Sequence, residues 1–183
     1  MITVAITGAS GVQYGIRLLE VLKELQKETR LVVTCNAKKI IEAETNSSLS
    51  YIESLATHTY DENDFTAPVA SGSCLEDCMV VVPCSMKSLG SIASGVSSNL
   101  VARAADVCLK ERRRLILVIR ETPLNMIHLG NLLKVAQCGA IVVPASPGFY
   151  THPLTIADLI DVLVARVLDL LHINHTLSRR WGD

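Results

Sequence analysis

Residues able to do chemistry fall into a few short runs of this 183-residue chain. Thr7-Gly8-Ala9-Ser10-Gly11 closes an apolar run over 2–7 and opens a helical pattern over 12–27. A buried strand, a small-residue turn and a helix N-terminus together make an anion site. The first N–H groups of the helix lack partners, and its dipole favours negative charge there. Glycines in the turn let a ligand approach the backbone closely. A nucleotide-like cofactor on this loop is the first expectation. A plain tight turn without a ligand is the alternative, because Gly-rich strand–helix turns serve several cofactors.

Four further runs carry polar chemistry: Thr34, Cys84-Ser85-Met86-Lys87-Ser88, Arg120-Glu121 and Pro147-Gly148-Phe149-Tyr150. Each follows an apolar run that reads as a strand. In open parallel sheets ligands bind outside the carboxyl ends of the strands. Hydroxyls, a lysine, an arginine, a glutamate and a tyrosine therefore converge on one edge, a set that suits a phosphorylated ligand. Gly8, Gly11 and Gly15 resemble a dinucleotide turn. A dehydrogenase, however, usually ends its second strand on an acidic residue for the ribose, and here Thr34-Cys35-Asn36 stands there. No Tyr-x-x-x-Lys pair is present either, so a mononucleotide is favoured.

Two helical patterns hold charges of ambiguous purpose. In the last, Asp158, Asp161, Asp169 and His172 share a face, with Ala165 in the gap, and Arg166 lies off it beside Leu159 and Leu170. An arginine on the apolar side wants an anion, because an unpaired buried charge is costly. A snorkelling side chain or a structural ion pair fits the periodicity equally well. Arg103, Asp106 and Lys110 share another face, where an Asp106–Lys110 pair would contribute about 0.3–0.5 kcal/mol. A solvated charged face is the plain reading of that helix.

The elements that must position these residues follow from the alternation of apolar runs and helical periods. Strands are expected over 2–7, 31–34, 78–83, 115–119 and 140–143. Helices are expected over 12–27, 37–44, 97–111, 125–137 and 156–171, and residues 45–77 are the least regular part. Strands alternating with helices predict a three-layer α/β/α, Rossmann-like single domain over 1–183 with a mainly parallel sheet.

Composition narrows the class. Hydrophobic residues make up 49% and charged residues 19%, an apolar balance that predicts surface buried against partner subunits. The net charge is −1 with no basic patch, which argues against nucleic acid. The N-terminus enters a strand at once, unlike a signal peptide, and no apolar run reaches the roughly 18 residues of a membrane span. A cytoplasmic protein is expected. Cys35, Cys74, Cys78, Cys84, Cys108 and Cys138 form no C-x-x-C pair and read as reduced thiols. His172 and His175 stand three apart without a cysteine or acidic cluster, so no metal site is expected.

The runs, taken in order, resemble a known family. They are Thr7 to Gly11, Glu44-Thr45, Ala70-Ser71-Gly72-Ser73, Pro83 to Lys87, Arg103 to Val107, Leu109 to Arg113, Arg120-Glu121-Thr122-Pro123, Pro147 to Tyr150 and Arg180-Trp181-Gly182. The set is similar to the UbiX/Pad flavin prenyltransferases from residue 2 to the C-terminus, and Pro83 to Lys87 is the most telling run. The resemblance implies that FMN, as reduced flavin, is a substrate and that dimethylallyl monophosphate is the prenyl donor. The prenyl group joins flavin N5, a ring closes at C6, and the prenylated flavin passes to a separate UbiD-type decarboxylase. Family members are often labelled aromatic-acid decarboxylases themselves. The resemblance also implies a homododecamer built of trimers, and no metal.

Residue by residue, the resemblance implies FMN contacts from Gly8, Ala9, Ser10, Thr34, Ser85, Met86, Lys87, Ser88 and Arg120. Arg103 is expected to reach the site at a subunit contact. Lys110, Glu121, Tyr150 and Arg166 would hold the prenyl phosphate with Arg120 nearby, and Glu44 and Trp181 would border the site. Catalytic roles are expected for Ser10, Glu44, Lys110 and Glu121. Positioned cations would stabilise the leaving phosphate. Glu121 would relay a proton to it, and Ser10 would help with the N5 proton. The chain departs from the family at Ser88, where relatives often have threonine, and at Cys35-Asn36, where they often have lysine. It also ends at Asp183, so closure of the site is expected to differ from longer relatives. A flavin-dependent cysteine decarboxylase is the nearest rival, but it relies on an early histidine and a Pro-Ala-Ser-Ala-Asn-Thr run. His58 is the first histidine here. A non-catalytic FMN carrier, the other rival, needs no second phosphate site.

Overall fold

In the computed structural model, which describes residues 1–74 and 78–182, the apolar runs become strands β1 (Ile2–Ile6), β2 (Thr29–Val33), β3 (His58–Tyr60), β4 (Cys78–Cys84), β5 (Arg114–Ile119) and β6 (Ile141–Pro144). They form one sheet in the order β3-β2-β1-β4-β5-β6, and every neighbouring pair is parallel. Central strands of such a sheet are covered on both faces and so read as unbroken apolar runs. In β4, Cys78, Val80 and Val82 enter one core while Met79, Val81 and Cys84 enter the other. β5 alternates in the same way, with Ile116 and Val118 opposite Leu115, Leu117 and Ile119.

Helices α1 (Val12–Glu24), α2 (Cys35–Glu44), α3 (Leu49–Ser54), α4 (Met86–Ser94), α5 (Leu100–Lys110), α6 (Met126–Gln137) and α7 (Ile156–Leu170) complete the layers. α1 and α7 bury Leu18, Leu19, Val164 and Leu168 on one face, and α4 and α5 bury Leu89, Ile92, Val101 and Cys108 on the other. The strand order reverses direction between β1 and β4. There the chains leaving both strands diverge and open a crevice.

The structure differs from the sequence reading mainly between 45 and 74. That stretch holds α3, the edge strand β3 and a 3-10 turn at Pro68–Ala70; residues 75–77 lie outside the described residues. β3 is only three residues long, His58-Thr59-Tyr60, and mostly exposed, so it lacks the apolar run of a central strand. α4 was not expected, because Ser88, Gly90, Ser91 and Ser94 dilute its apolar period. α1 stops at Glu24 rather than 27, where Gln26 turns the chain with φ 53°. The helix expected from 97 begins at Leu100, capped by the Asn99 side chain.

Candidate active site

The crevice is assembled by capping residues. The Thr7 hydroxyl donates to the Pro83 carbonyl at 2.7 Å and accepts the Ser85 N–H at 2.9 Å, which ties the ends of β1 and β4 together. Thr34 caps α2 by accepting the Ala37 N–H at 3.3 Å. Ser85 caps α4 by accepting the Ser88 N–H at 3.3 Å, while its own hydroxyl donates to Ser88 at 3.1 Å. Two helix N-termini thus open onto one cleft of about 390 Å³. Gly8, Thr34, Ser85, Met86, Lys87, Ser88 and Glu121 line it, all expected from the sequence. Gly8 is required by packing there, because a Cβ would stand 2.6 Å from the Asn36 Cβ.

Beside the cleft, Gly11 adopts φ 93° and donates its N–H to Glu44 Oε2 at 2.8 Å. The last residue of α2 is thereby fastened to the loop that carries Ala9 and Ser10. Arg120, at the end of β5, crosses over this loop: its Cγ lies 3.8 Å from where a Gly11 Cβ would be. Its Nε is buried and makes no hydrogen bond. A buried guanidinium N–H without an acceptor is costly, and it marks where an anionic or carbonyl group would be received.

Sequence reasoning missed two lining residues, Glu62 and Asn99. Glu62 accepts the Cys35 N–H at the α2 N-terminus and the Asn99 side-chain amide at 3.0 Å. Asn99 had a legible signal, an Asn before an apolar helical period. Glu62 had none, since Asp61-Glu62-Asn63 reads as a surface turn.

Tyr150, Arg166 and Trp181 come together as expected, but in a second cleft of about 300 Å³ that shares no lining residue with the first. The Tyr150 and Trp181 rings meet edge-on with centroids 5.3 Å apart. Arg166 is exposed and faces this cleft with Val162, Ala165 and Asp169. The apolar side of α7 is instead Leu163, Val164, Val167 and Leu168, so the expectation of an arginine on that side is corrected. The aspartates of the same helix divide into three jobs. Asp158 closes a capping box with Thr155, Asp161 pairs with Arg17 of α1 at 2.7 Å, and Asp169 takes His175 and Arg180. Burial works to raise the Asp169 carboxyl, but the hydrogen bond and charge of Arg180, with His175, hold it below the ordinary range.

Six expected site residues line neither cleft within one chain: Ala9, Ser10, Glu44 and Arg120 lie on or against the Gly11 loop beside the first, while Arg103 and Lys110 belong to α5. Lys110 ends α5 near the amino edge of the sheet, where it contacts Glu111 above Gly72. The expected Asp106–Lys110 pair is not formed: Asp106 pairs with Arg103 at 2.9 Å, one turn back. Arg103 also donates to the Ala70 carbonyl at 3.0 Å.

Comparison with known proteins gives the family. The Flavoprotein family matches residues 1–176. The flavin prenyltransferase UbiX of Methanocaldococcus jannaschii is 52% identical, over 99% of this chain and 98% of that one. The chain belongs to the UbiX-type flavin prenyltransferases. Among solved structures, AnUbiX (PadA1) in complex with FMN and dimethylallyl pyrophosphate matches with a TM-score of 0.98 and 48% identity, covering 100% and 97% of the two chains. A dodecameric FMN-dependent UbiX-like decarboxylase from Escherichia coli O157:H7 matches with a TM-score of 0.97 and 45% identity, over 100% and 99%. The FMN-dependent cysteine decarboxylase TvaF, at 17% identity and a TM-score of 0.64, shares the fold alone.

The residues present fit a flavin mononucleotide of the kind this prenyltransferase family handles. Two helix N-termini favour its phosphate, the hydroxyls of Thr34 and Ser88 are at the cleft wall, and the buried Arg120 Nε lacks an acceptor. Among the described residues no group of three or more His, Cys, Asp or Glu is placed to hold a metal ion, and no helix is long and apolar enough to cross a membrane.

Proposed function

We propose that this chain transfers a dimethylallyl group from dimethylallyl monophosphate to reduced FMN, at N5 and then C6, and so makes prenylated FMN for a UbiD-type decarboxylase in the cytoplasm. The observation that carries this reading is that one chain presents two separate polar clefts. One has helix N-termini and hydroxyls, with Arg120 over the adjacent Gly11 loop, and the other has Arg166 with an aromatic pair. A flavin carrier would need only the first.

Reduced FMN, when bound, supplies the nucleophilic atoms that accept the prenyl group. Gly8, Ala9, Ser10, Thr34, Ser85, Met86, Lys87, Ser88 and Arg120 bind and orient it. Arg166 and Tyr150 hold the prenyl phosphate. Their positive and hydrogen-bonding groups favour the charge that grows on the departing phosphate as its carbon–oxygen bond breaks. Glu121, exposed at the rim of the first cleft, hands a proton to that phosphate where a second subunit brings the two clefts together. Glu44 keeps the Gly11 loop in place through its 2.8 Å hydrogen bond, and Ser10 on that loop manages the flavin N5 proton. Lys110 and Arg103 act on the site of a neighbouring subunit, since their own chain leaves them outside both clefts. The deciding experiment is anaerobic incubation with reduced FMN and either dimethylallyl monophosphate or the pyrophosphate, followed by mass spectrometry of the released flavin. The expected product is flavin enlarged by one prenyl unit, formed from the monophosphate. Unchanged flavin with both donors would reject the reading.

A further inference from the structure

We propose that Asp169 is a positioning residue for the second cleft: by gripping Arg180 it holds the C-terminal tail so that Trp181 stands against Tyr150 beside Arg166. This rests on the proposed function for what the cleft binds, though not for the geometry.

α7 ends in a reversal. The His172 N–H donates to the Asp169 carbonyl and the Ile173 N–H to the Leu168 carbonyl, each at 3.0 Å, with His172 at φ 57°. This is the paired-bond helix stop that sends the chain back across its own end. Ile173 and Leu177 then pack against the core. Beyond them Ser178, Arg179, Arg180 and Trp181 form one wall of the cleft, and α7 forms the other with Arg166 and Asp169.

The Asp169 side chain joins the two walls. Its Oδ1 accepts from Arg180 Nη2 at 2.7 Å and stands 3.2 Å from His175 Nε2. His175 is almost fully enclosed, with its side chain 4% exposed, and its Nδ1 accepts the Leu177 N–H at 3.2 Å. That bond places the ring proton of neutral His175 on Nε2, which donates to Asp169. One oxygen thus receives two donors from the tail, one of them buried. Trp181, next in sequence to Arg180, is 82% exposed and meets Tyr150 only edge-on. Packing alone gives it little reason to stay, whereas a charge-assisted bond at the preceding residue does. Asp169 and Arg166 are also neighbours at i, i+3 on α7, so the grip falls beside the cation that would receive phosphate.

Trp181 is the sole tryptophan of the chain, so its emission reports the tail directly. The test compares full-length wild type with Asp169→Asn, Arg180→Gln and Arg180→Lys. It measures steady-state fluorescence anisotropy of Trp181, FMN affinity, and kcat and KM for dimethylallyl phosphate. In Asp169→Asn and Arg180→Gln we expect the Trp181 anisotropy to fall by about half as the tail is freed and KM to rise about tenfold, as for loss of one charge-assisted bond. FMN affinity should stay within about twofold, and Arg180→Lys should recover part of the KM. Unchanged anisotropy and KM in both variants would overturn the proposal. So would equal losses in FMN affinity, KM and thermal stability, the signature of a merely structural contact. Should Asp169→Asn fail to fold, Arg180→Gln decides, because its site lies outside the helix. If wild type makes no prenylated flavin, the proposed function fails, and Trp181 anisotropy alone then decides the grip.

Discussion

Arg120 carries the sharpest expectation for a single side chain. Its Nε is buried without an acceptor, so a bound flavin would remove an existing penalty as well as add a bond. Arg120→Ala should weaken FMN binding by about 1.5–3 kcal/mol, the range for a hydrogen bond to a charged group, as read by calorimetry. Ser10→Ala should instead spare most flavin affinity and slow prenylation, because it removes a neutral hydroxyl and not a charged donor. The cysteines give a second residue-level test. Burial pushes the Cys84 thiol up to about 12, so at pH 8 it is protonated and inert to iodoacetamide. Cys35 and Cys138 are exposed and should label. FMN should protect Cys35, which lines the cleft, and leave Cys138 reactive. Labelling of Cys84 in native protein would contradict the packing of β4.

Among elements, α1 lies directly on β4 because Gly15 leaves room for it. A Cβ there would stand 2.5 Å from the Val82 carbonyl oxygen, a backbone atom that cannot swing aside. Gly15→Ala should therefore destabilise by about 1–3 kcal/mol despite alanine's better helix propensity, measured as a lower urea midpoint at unchanged slope. The contact between α1 and α7 is different in kind. Arg17 and Asp161 meet at 2.7 Å while both remain partly exposed. A double-mutant cycle should give them a coupling of about 0.2–1 kcal/mol, and their removal should leave FMN binding intact.

At the scale of the whole molecule, apolar surface remains that one chain does not bury. Met126, Ile127, Leu129 and Leu133 of α6 are exposed, as are Phe149, Leu154 and Ile156. Patches of this kind belong at interfaces, in keeping with the dodecamer seen for the E. coli relative. Arg103 and Lys110 lie outside both clefts of their own chain, so Arg103→Ala and Lys110→Ala should each lower activity without unfolding the protein. Mixing the two variants under conditions of subunit exchange should restore part of the activity, provided the two residues serve a site from different subunits. Light scattering that found a fully active monomer would sink the shared site.

The sequence by itself determined the layers of this protein and most of its first cleft. Strands buried on both faces must be unbroken apolar runs, and a ligand edge must follow them. Gly8, Thr34, Ser85 to Ser88 and Glu121 were therefore legible from order alone. Type and period could not say where long side chains point. Arg166 shares its period with leucines, yet the tertiary structure turns it outward, because Val164 and Leu168 already fill the core side of α7. Asp106 could pair forwards or backwards along its helix, and the Ala70 carbonyl drew Arg103 into place to take it. Glu62 reached the cleft only because the edge strand β3 delivers the chain there, and a three-residue edge strand has no buried period to announce it. The split of one expected constellation into two clefts was likewise a tertiary decision. Residues about 30 positions apart in sequence meet or miss by how the helices cross the sheet, and linear spacing carries no term for that.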